Sequence, residues 1–479
     1  MTEAAERVQL VVDELADIEL GDRRLEYRAS EIARRLATRP ALGLPIALAT
    51  SAELEGCYRF LANKKVTADA ILKPHADATM GRVIEHGTAL ALHDTTVFRF
   101  GGEGREGLGE LTRSGDMFLA HICLAVSADG NRDPLGVMGT KTWARDGSPT
   151  PTKLRKLGVK ENLIRGMPTE ASRWREMVEE VEKNNAGRAS LIHIMDSESD
   201  DYALLCFLRT EGHRFVLRST SDRRLDADAT GSKSGEKTRQ YMACAEVQAE
   251  REVKLSRRRR GIAGGGSKRT QQRPERMATL LFSAKRLVFH RPANLPKDVA
   301  ATISMNMVYV QEKNPPADME PIDWLLLSSE PIDTPEQILQ VVDAYRARWM
   351  IEEYFSALKT GCAFETRQLE SKSALTKVLA LFTPVAWALL RMRASSRSPI
   401  DASIATVLTP TQILILRKET KIPLDEKSTA AEAYFAIARL GGHIKNNGSP
   451  GWRVLGRGYD MLLTLEAGYK IAESLTCDR

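Results

Sequence analysis

Two short runs, TALALHD at residues 88–94 and SLIHIMD at 190–196, constrain the fold of this chain more than any other feature. Each is apolar, strand-like in length and closed by an aspartate, Asp94 and Asp196. Alternation along an extended strand puts Leu90, Leu92 and Asp94 on one face, and Ile192, Ile194 and Asp196 on one face. Between the runs, MFLAHICLAVSA and LGVMGTKTWA predict a hairpin or meander, and TEASRWREMVEEVEKN predicts a helix. After Asp196, YALLCFLRTEG reads as a helix and RFVLRST as a strand. Strands followed by alternating helix and strand predict a mixed α/β sheet.

A carboxylate at the exposed end of a buried strand is rigidly held and open to solvent on the loop side, which suits chemistry. It is also a common turn former or helix cap, so neither aspartate is decisive alone. Asp196 has rivals in DSESDD, namely Glu198, Asp200 and Asp201, and is preferred because it terminates the apolar run directly.

The segment YRARWMIEEYFSALK, residues 345–359, follows a strong helix start. Thr334 is placed as N-cap, Pro335 at the first helical position and Gln337 three residues after the cap. Neither proline nor glycine then interrupts the chain until Gly361, so one continuous helix is predicted. At about 100° per residue, Tyr345, Arg348, Glu352 and Lys359 fall within a sector of about 60°, and Glu353 falls outside it. A solvated i, i+4 pair would account for Arg348 and Glu352 equally well.

The flanking regions differ in character. Residues 1–70 read as helical, with Asp22 and Thr50 as N-caps and Glu53 completing a capping box with Thr50. In the first of these helices Leu25, Ala29, Ile32 and Leu36 form an apolar stripe, while Arg24, Arg28 and Arg35 gather on another, a pattern suited to phosphate contact or to a plain solvated face. Residues of about 221–300 read as a β-rich insertion carrying the basic run KLSRRRRGIAGGGSKRT, which favours DNA contact. Residues 371–479 read as helical, and 71–370 as the sheet domain that the insertion interrupts. The net charge of +6 is modest but unevenly distributed.

Six cysteines are scattered without a C-x-x-C, and eight histidines show no H-x-x-x-H. Any metal is therefore expected to be a hard cation held by carboxylates, Mg²⁺ or Mn²⁺. The opening MTEAAERVQLVVDEL is not a signal peptide in character, and VLALFTPVAWALL reads as too short and interrupted to span a membrane. A reduced, cytoplasmic protein is expected. Two aspartates on adjacent strands and a later helical glutamate can hold two divalent cations about 3.5–4 Å apart, the arrangement of phosphodiester displacement. Arg348 and Lys359 would then hold DNA phosphates and Tyr345 would donate a hydrogen bond to one.

Tyr345-x2-Arg348-x3-Glu352-x6-Lys359 has the spacing of the YREK signature, and the chain resembles the insertion-sequence-four family of DDE transposases. LGDRR, GCYRFLAN, HDTT, MDSESDDY and WLLLSSEPI carry the resemblance over nearly the whole length. It implies a ribonuclease-H-like catalytic core interrupted by a β-rich insertion, between a helical N-terminal domain that binds the element's ends and a helical C-terminal region used in dimerisation. Asp94, Asp196 and Glu352 would be the metal ligands. The implied reaction is cut-and-paste transposition through a nick, a hairpin, hairpin opening and strand transfer, acting on double-stranded element ends and target DNA as a homodimer. Trp324 matches a position that receives an extruded base, and Arg218 and Arg28 match DNA-contacting positions. A DNA-binding protein that has lost catalysis, a metal-dependent nuclease without strand transfer, and a glycosidase with paired carboxylates, which the basic residues do not support, are the rival readings.

Overall fold

The computed structural model describes residues 3–110, 115–145, 154, 157–159, 170–255, 274–317, 319–395, 403–406, 408–444 and 450–477. The basic run at 256–273 lies outside them. The architecture is mixed α/β. Five helices come first, α1 (Glu3–Asp13), α2 (Arg23–Thr38), α3 (Leu44–Ala47), α4 (Ser51–Ala62) and α5 (Ala68–His86). Strands β1 (Thr88–Arg99), β2 (Gly109–Glu110), β3 (Asp116–Ser127) and β4 (Pro134–Trp143) follow. Next come α6 (Glu170–Asn185), β5 (Ser190–Met195), α7 (Tyr202–Thr210), β6 (Arg214–Ser219), α8 (Ala227–Thr230) and α9 (Thr238–Ala243). Then come β7 (Ala249–Leu255), β8 (Arg276–His290), β9 (Thr302–Glu312) and β10 (Asp323–Ser328). The chain finishes with α10 (Pro335–Ala347), α11 (Trp349–Ser356), α12 (Lys372–Ser395), α13 (Pro410–Thr420), α14 (Ala430–Leu440) and α15 (Trp452–Cys477).

These elements form two compact units. The sheet unit comprises Thr88–Asp94 and Pro168–Trp349, and the helical unit comprises Met1–Gly87, Thr95–Met167 and Met350–Arg479.

In the sheet unit the strand order is β1–β5–β6–β10–β9–β8–β7. β1, β5 and β6 are parallel, with Leu92 opposite Ile194 and Ile194 opposite Val216. β10 runs antiparallel to both β6 and β9. The β-rich segment therefore continues the sheet rather than standing apart from it. A single core spans both parts: Trp174, Leu205, Phe215 and Leu217 pack in one cluster with Phe289, Met307, Leu325 and Leu327. Alternation explains the sharing, since the odd positions of β6 and β10 point to that side.

In the helical unit β3 and β4 form the expected hairpin, with irregularities after Cys123 and Ala125. Phe98, Phe100, Phe118 and Phe364 make an aromatic cluster, the Phe98 and Phe364 rings meeting edge to face at 4.8 Å. α12 is the buried axis of this unit; its Trp387 Nε1 donates to Pro134 O at 2.8 Å. The reading of VLALFTPVAWALL as too short underestimated this helix. Lys372–Ala394 is long and apolar enough to cross a membrane by composition, and 83% of its most apolar window is buried inside the protein.

Side chains from the later helices hold the first helices in place. Lys377 Nζ donates to Leu61 O (2.7 Å) and Asn63 O (2.9 Å), and the Arg367 guanidinium donates to Pro40 O (2.6 Å) and to Leu42 O. Near the C-terminus α14 and α15 cross backbone to backbone. A Cβ built on Gly458 would lie 1.8 Å from Ile437 O, and one on Gly441 would lie 1.8 Å from Val454 O. Gly458→Ala is therefore expected to destabilise the protein by about 2–3 kcal/mol, because the clash is with backbone that cannot rotate away. Thermal unfolding tests this, with Gly468→Ala as control, since no atom lies within 4 Å of its added Cβ.

Candidate functional site

The parallel register carries the two aspartates to one edge of the sheet unit. Leu90 lies opposite Ile192 and Leu92 opposite Ile194. Asp94 and Asp196 each follow two residues beyond the last of these pairs, in the same phase of alternation as Leu92 and Ile194. The strands end differently. β5 stops at Met195, and Asp196 caps the turn that follows, its Oδ1 accepting from Glu198 N at 2.9 Å. β1 does not end at Asp94 as the sequence suggested but continues to Arg99; it is the pairing with β5 that stops.

The rivals of Asp196 have other work. Asp201 caps α7 by accepting from Leu204 N at 3.0 Å. Asp200 is enclosed: its Oδ1 pairs with Arg223 at 2.6 Å, and its Oδ2 accepts from Thr220 N and Ser221 N at 2.8 Å each. Burial pushes the Asp200 carboxyl up, but Arg223 and these hydrogen bonds outweigh it and hold the group below the ordinary carboxylate range. Glu198 is exposed.

Four further residues named from the sequence gather in the same unit. Arg348 Nη1 donates to Asp94 Oδ2 at 2.8 Å across 254 residues of chain, so this arginine is more than a local partner on a wet helix face. Tyr345 is buried, and its ring meets Trp324 at 5.7 Å with a 67° interplanar angle. The Arg218 guanidinium stands 6.0 Å from the Trp324 ring. Burial raises the Tyr345 phenol, opposed by the Arg348 and Arg218 cations and reinforced by Asp196. Tyr345 therefore keeps its proton at neutral pH and can donate a hydrogen bond.

On the opposite face lies a network the sequence reading missed. His93 Nε2 is 2.9 Å from His193 Nδ1, and His193 Nε2 is 2.9 Å from Glu182 Oε1 on α6. Both rings are fully buried. One set of neutral tautomers satisfies every link: His93 Nε2–H donates to His193 Nδ1, and His193 Nε2–H donates to the Glu182 carboxylate. The bonds tie β1, β5 and α6 together directly beneath the aspartates. The signal was available in LALHD and LIHIMD, where both histidines occupy the alternate phase from the aspartates.

The remaining named residues belong to the helical unit. Glu352 on α11 is half-buried, whereas its neighbour Glu353 is buried and lies 3.5 Å from Arg393. The two neighbouring glutamates therefore differ in burial. Lys359 Nζ donates to Val97 O at 2.8 Å and stands 5.4 Å from the Phe98 ring centre. The single continuous helix predicted across these positions is segmented instead. α10 ends at Ala347, with Arg348 N bonding back three residues to Tyr345 O, and Ala357–Gly361 forms a wider π turn closed by Cys362 N to Ala357 O at 2.7 Å. An extra residue in that turn rotates everything near it, so the straight-helix angle computed for Lys359 does not hold.

In the first helices both N-caps are present, Asp22 accepting from Arg24 N and Thr50 from Glu53 N. The Glu53 carboxylate does not return to Thr50 but accepts from Ala49 N (2.9 Å) and pairs with Arg35 (2.7 Å), so the capping box is one-armed. Arg24 pairs with Asp22. Arg28 is exposed and, among the described residues, has no carboxylate in ion-pair range. It lines a groove of about 560 Å³ with Arg23, Tyr27 and Arg35, beside Gly56, whose missing side chain leaves room for its guanidinium.

Oxygen donors at a sheet edge have the right chemistry for a hard divalent cation. Asp94 and Asp196 provide two such groups, and no cluster of three or more His, Cys, Asp or Glu arranged for a metal occurs among the described residues. Two carboxylates are at most part of a ligand set, and Asp94 is paired with Arg348.

Residues 8–66, spanning most of α1 through α4, match the family model described as transposase DNA-binding. The match supports a transposase, with DNA as its partner.

Proposed function

From a chain that opens with a transposase DNA-binding domain, we propose a DDE transposase of the insertion-sequence-four, YREK-bearing group, built on a ribonuclease-H-like core. The observation that carries this reading is the parallel pairing of the two strands that lead into Asp94 and Asp196, with Tyr345, Arg348, Trp324 and Arg218 in the same unit.

Asp94, Asp196 and Glu352 would hold two divalent cations, Mg²⁺ or Mn²⁺. Such a pair, when bound, neutralises the scissile phosphate and makes the attacking and leaving oxygens better at their tasks. The protein's own residues do the rest. Arg348 neutralises Asp94 while the site is idle and passes to a DNA phosphate when Asp94 engages a ligand. Lys359 supplies a second phosphate contact. Tyr345, kept protonated by its burial, donates to a phosphate oxygen. Arg28 anchors the N-terminal helices on the element end. Trp324, half-buried and braced by Tyr345, offers its ring to a base turned out of the stack during hairpin formation. The reaction sequence is nick, hairpin, hairpin opening and joining to target DNA, with two copies of the chain synapsing two ends.

The test is incubation of the full chain with Mg²⁺ and duplexes ending in the inverted repeats that flank its gene. Nicking followed by hairpins supports the reading. Nicking alone indicates a nuclease, and binding without cleavage indicates a DNA-binding protein. Trp324→Ala is expected to slow hairpin formation about ten- to a hundredfold more than the first nick, the worth of one stacked base. Equal slowing of both steps would leave Trp324 a packing residue.

A further inference from the structure

At the other end of α10 from Tyr345, the sheet unit holds a polar groove of about 490 Å³. Its walls carry three cationic side chains, Arg209 from the end of α7 and Lys285 and Arg286 from β8, all exposed. Among the described residues none of the three has a carboxylate in ion-pair range; Arg286 Nε donates only to Ser304 Oγ at 3.2 Å. Asp333 is the one carboxylate among the lining residues. Ser304, Ser328 and Ser329 also line it, with the buried Ser328 hydroxyl donating to Phe215 O at 3.0 Å.

This arrangement is unlike the rest of the unit. Elsewhere its arginines are mostly consumed by carboxylates: Arg214 by Glu330, Arg223 by Asp200, Arg239 by Asp323, Arg251 by Asp343 and Arg276 by Glu312. Three unneutralised cations sharing one concavity repel each other and lower the local cost of receiving an anion. Clustered arginine and lysine side chains are donors that meet phosphate oxygens in protein–DNA interfaces. The groove is also displaced from the aspartates' neighbourhood. Ser328 stands four residues from Trp324 along β10, about 13 Å, and Asp333 lies just before Pro335, the start of α10, which is ten residues or about 15 Å along the helix from Tyr345.

We infer that this groove is a second DNA contact, taking the sugar–phosphate backbone of duplex DNA through Arg209, Lys285 and Arg286 and reading no base sequence. The inference rests on the reading of the chain as a DNA-acting protein. It assigns affinity rather than chemistry to the groove, and it makes no use of the basic run at 256–273.

The experiment measures binding of the full chain to a labelled duplex of arbitrary sequence over a range of salt concentrations, for the native protein, for Arg209→Gln/Lys285→Gln/Arg286→Gln, and for Lys285→Glu alone. Loss of three phosphate contacts is expected to make the slope of log affinity against log salt shallower by about 2–3. Lys285→Glu, a change at one exposed position, is expected to weaken binding in the same sense with an unaltered unfolding temperature. Retention of both affinity and slope in the two variants overturns the groove while leaving the transposase reading intact. Failure of the native chain to bind duplex DNA at all overturns both. A triple variant that does not fold leaves the single variant to decide.

Discussion

Replacing Asp94 or Asp196 with asparagine is expected to reduce Mg²⁺-dependent DNA cleavage by at least about a thousandfold, with binding to the element end unchanged within a few fold. Asparagine is the informative substitution at position 94. It keeps an oxygen that can accept from Arg348, which alanine would leave without the acceptor it has at 2.8 Å. It also removes the negative charge on which a cation depends. Glu352→Gln is expected to behave in the same way. Glu353→Gln is expected to behave differently, because Glu353 is buried against Arg393 and its loss acts on stability, by about 3 kcal/mol, rather than on turnover per folded molecule. Cleavage rates normalised to the folded fraction separate the two effects. Normal cleavage by Glu352→Gln with loss in a folded Glu353→Gln would exchange their roles.

Asp200→Ala is expected to cost about 3–5 kcal/mol of folding stability, the penalty for leaving a buried cation without its partner. Arg223 is 6% exposed in its side chain and Asp200 2%, so water offers the guanidinium little compensation. The same carboxylate holds the backbone of Thr220 and Ser221, which continues from the end of β6 and hence from Arg218. The pH dependence has a fixed sign. The folded-state pKa of Asp200 is depressed, so the folded protein binds fewer protons than the unfolded chain in the window between the two values. The contribution is complete above the ordinary aspartate value near 3.8 and is lost as pH falls toward the folded one. Denaturant unfolding at neutral and acidic pH tests this: the gap between the native protein and Asp200→Ala should narrow in acid. A gap that widens in acid would contradict the assignment.

What the sequence revealed followed from local rules. β1 and β5 were legible because short apolar runs with alternating phase have few other solutions, and the caps at Asp22, Thr50 and Thr334 because a side-chain oxygen before a helix has a standard use. The adjacency of the two strands that lead into Asp94 and Asp196 was likewise within reach of the two apolar runs. Illegibility began where distant segments decide the outcome. TTVFR after Asp94 has no buried-strand pattern of its own and is extended nonetheless. The pairing of Arg348 with Asp94 spans 254 residues, and no local pattern connects them. The π turn at Ala357–Gly361 contains no proline and only a terminal glycine, so helical arithmetic ran straight through it. The His93–His193–Glu182 network was missed for a different reason. Metal-ligand spacing along the chain carries no trace of it, because the histidines are related across two strands.

The carbonyls of Pro40, Leu42, Leu61 and Asn63 accept from Arg367 and Lys377, which lie between 314 and 327 residues downstream. A fragment ending at Val66 would leave those oxygens without these donors, so the first helices are not a detachable cassette. Exchanging the first helices with those of another chain would succeed only when the recipient's distal segments offer cations at the matching positions. The first helices and the scaffold that holds them are thus inherited as one piece.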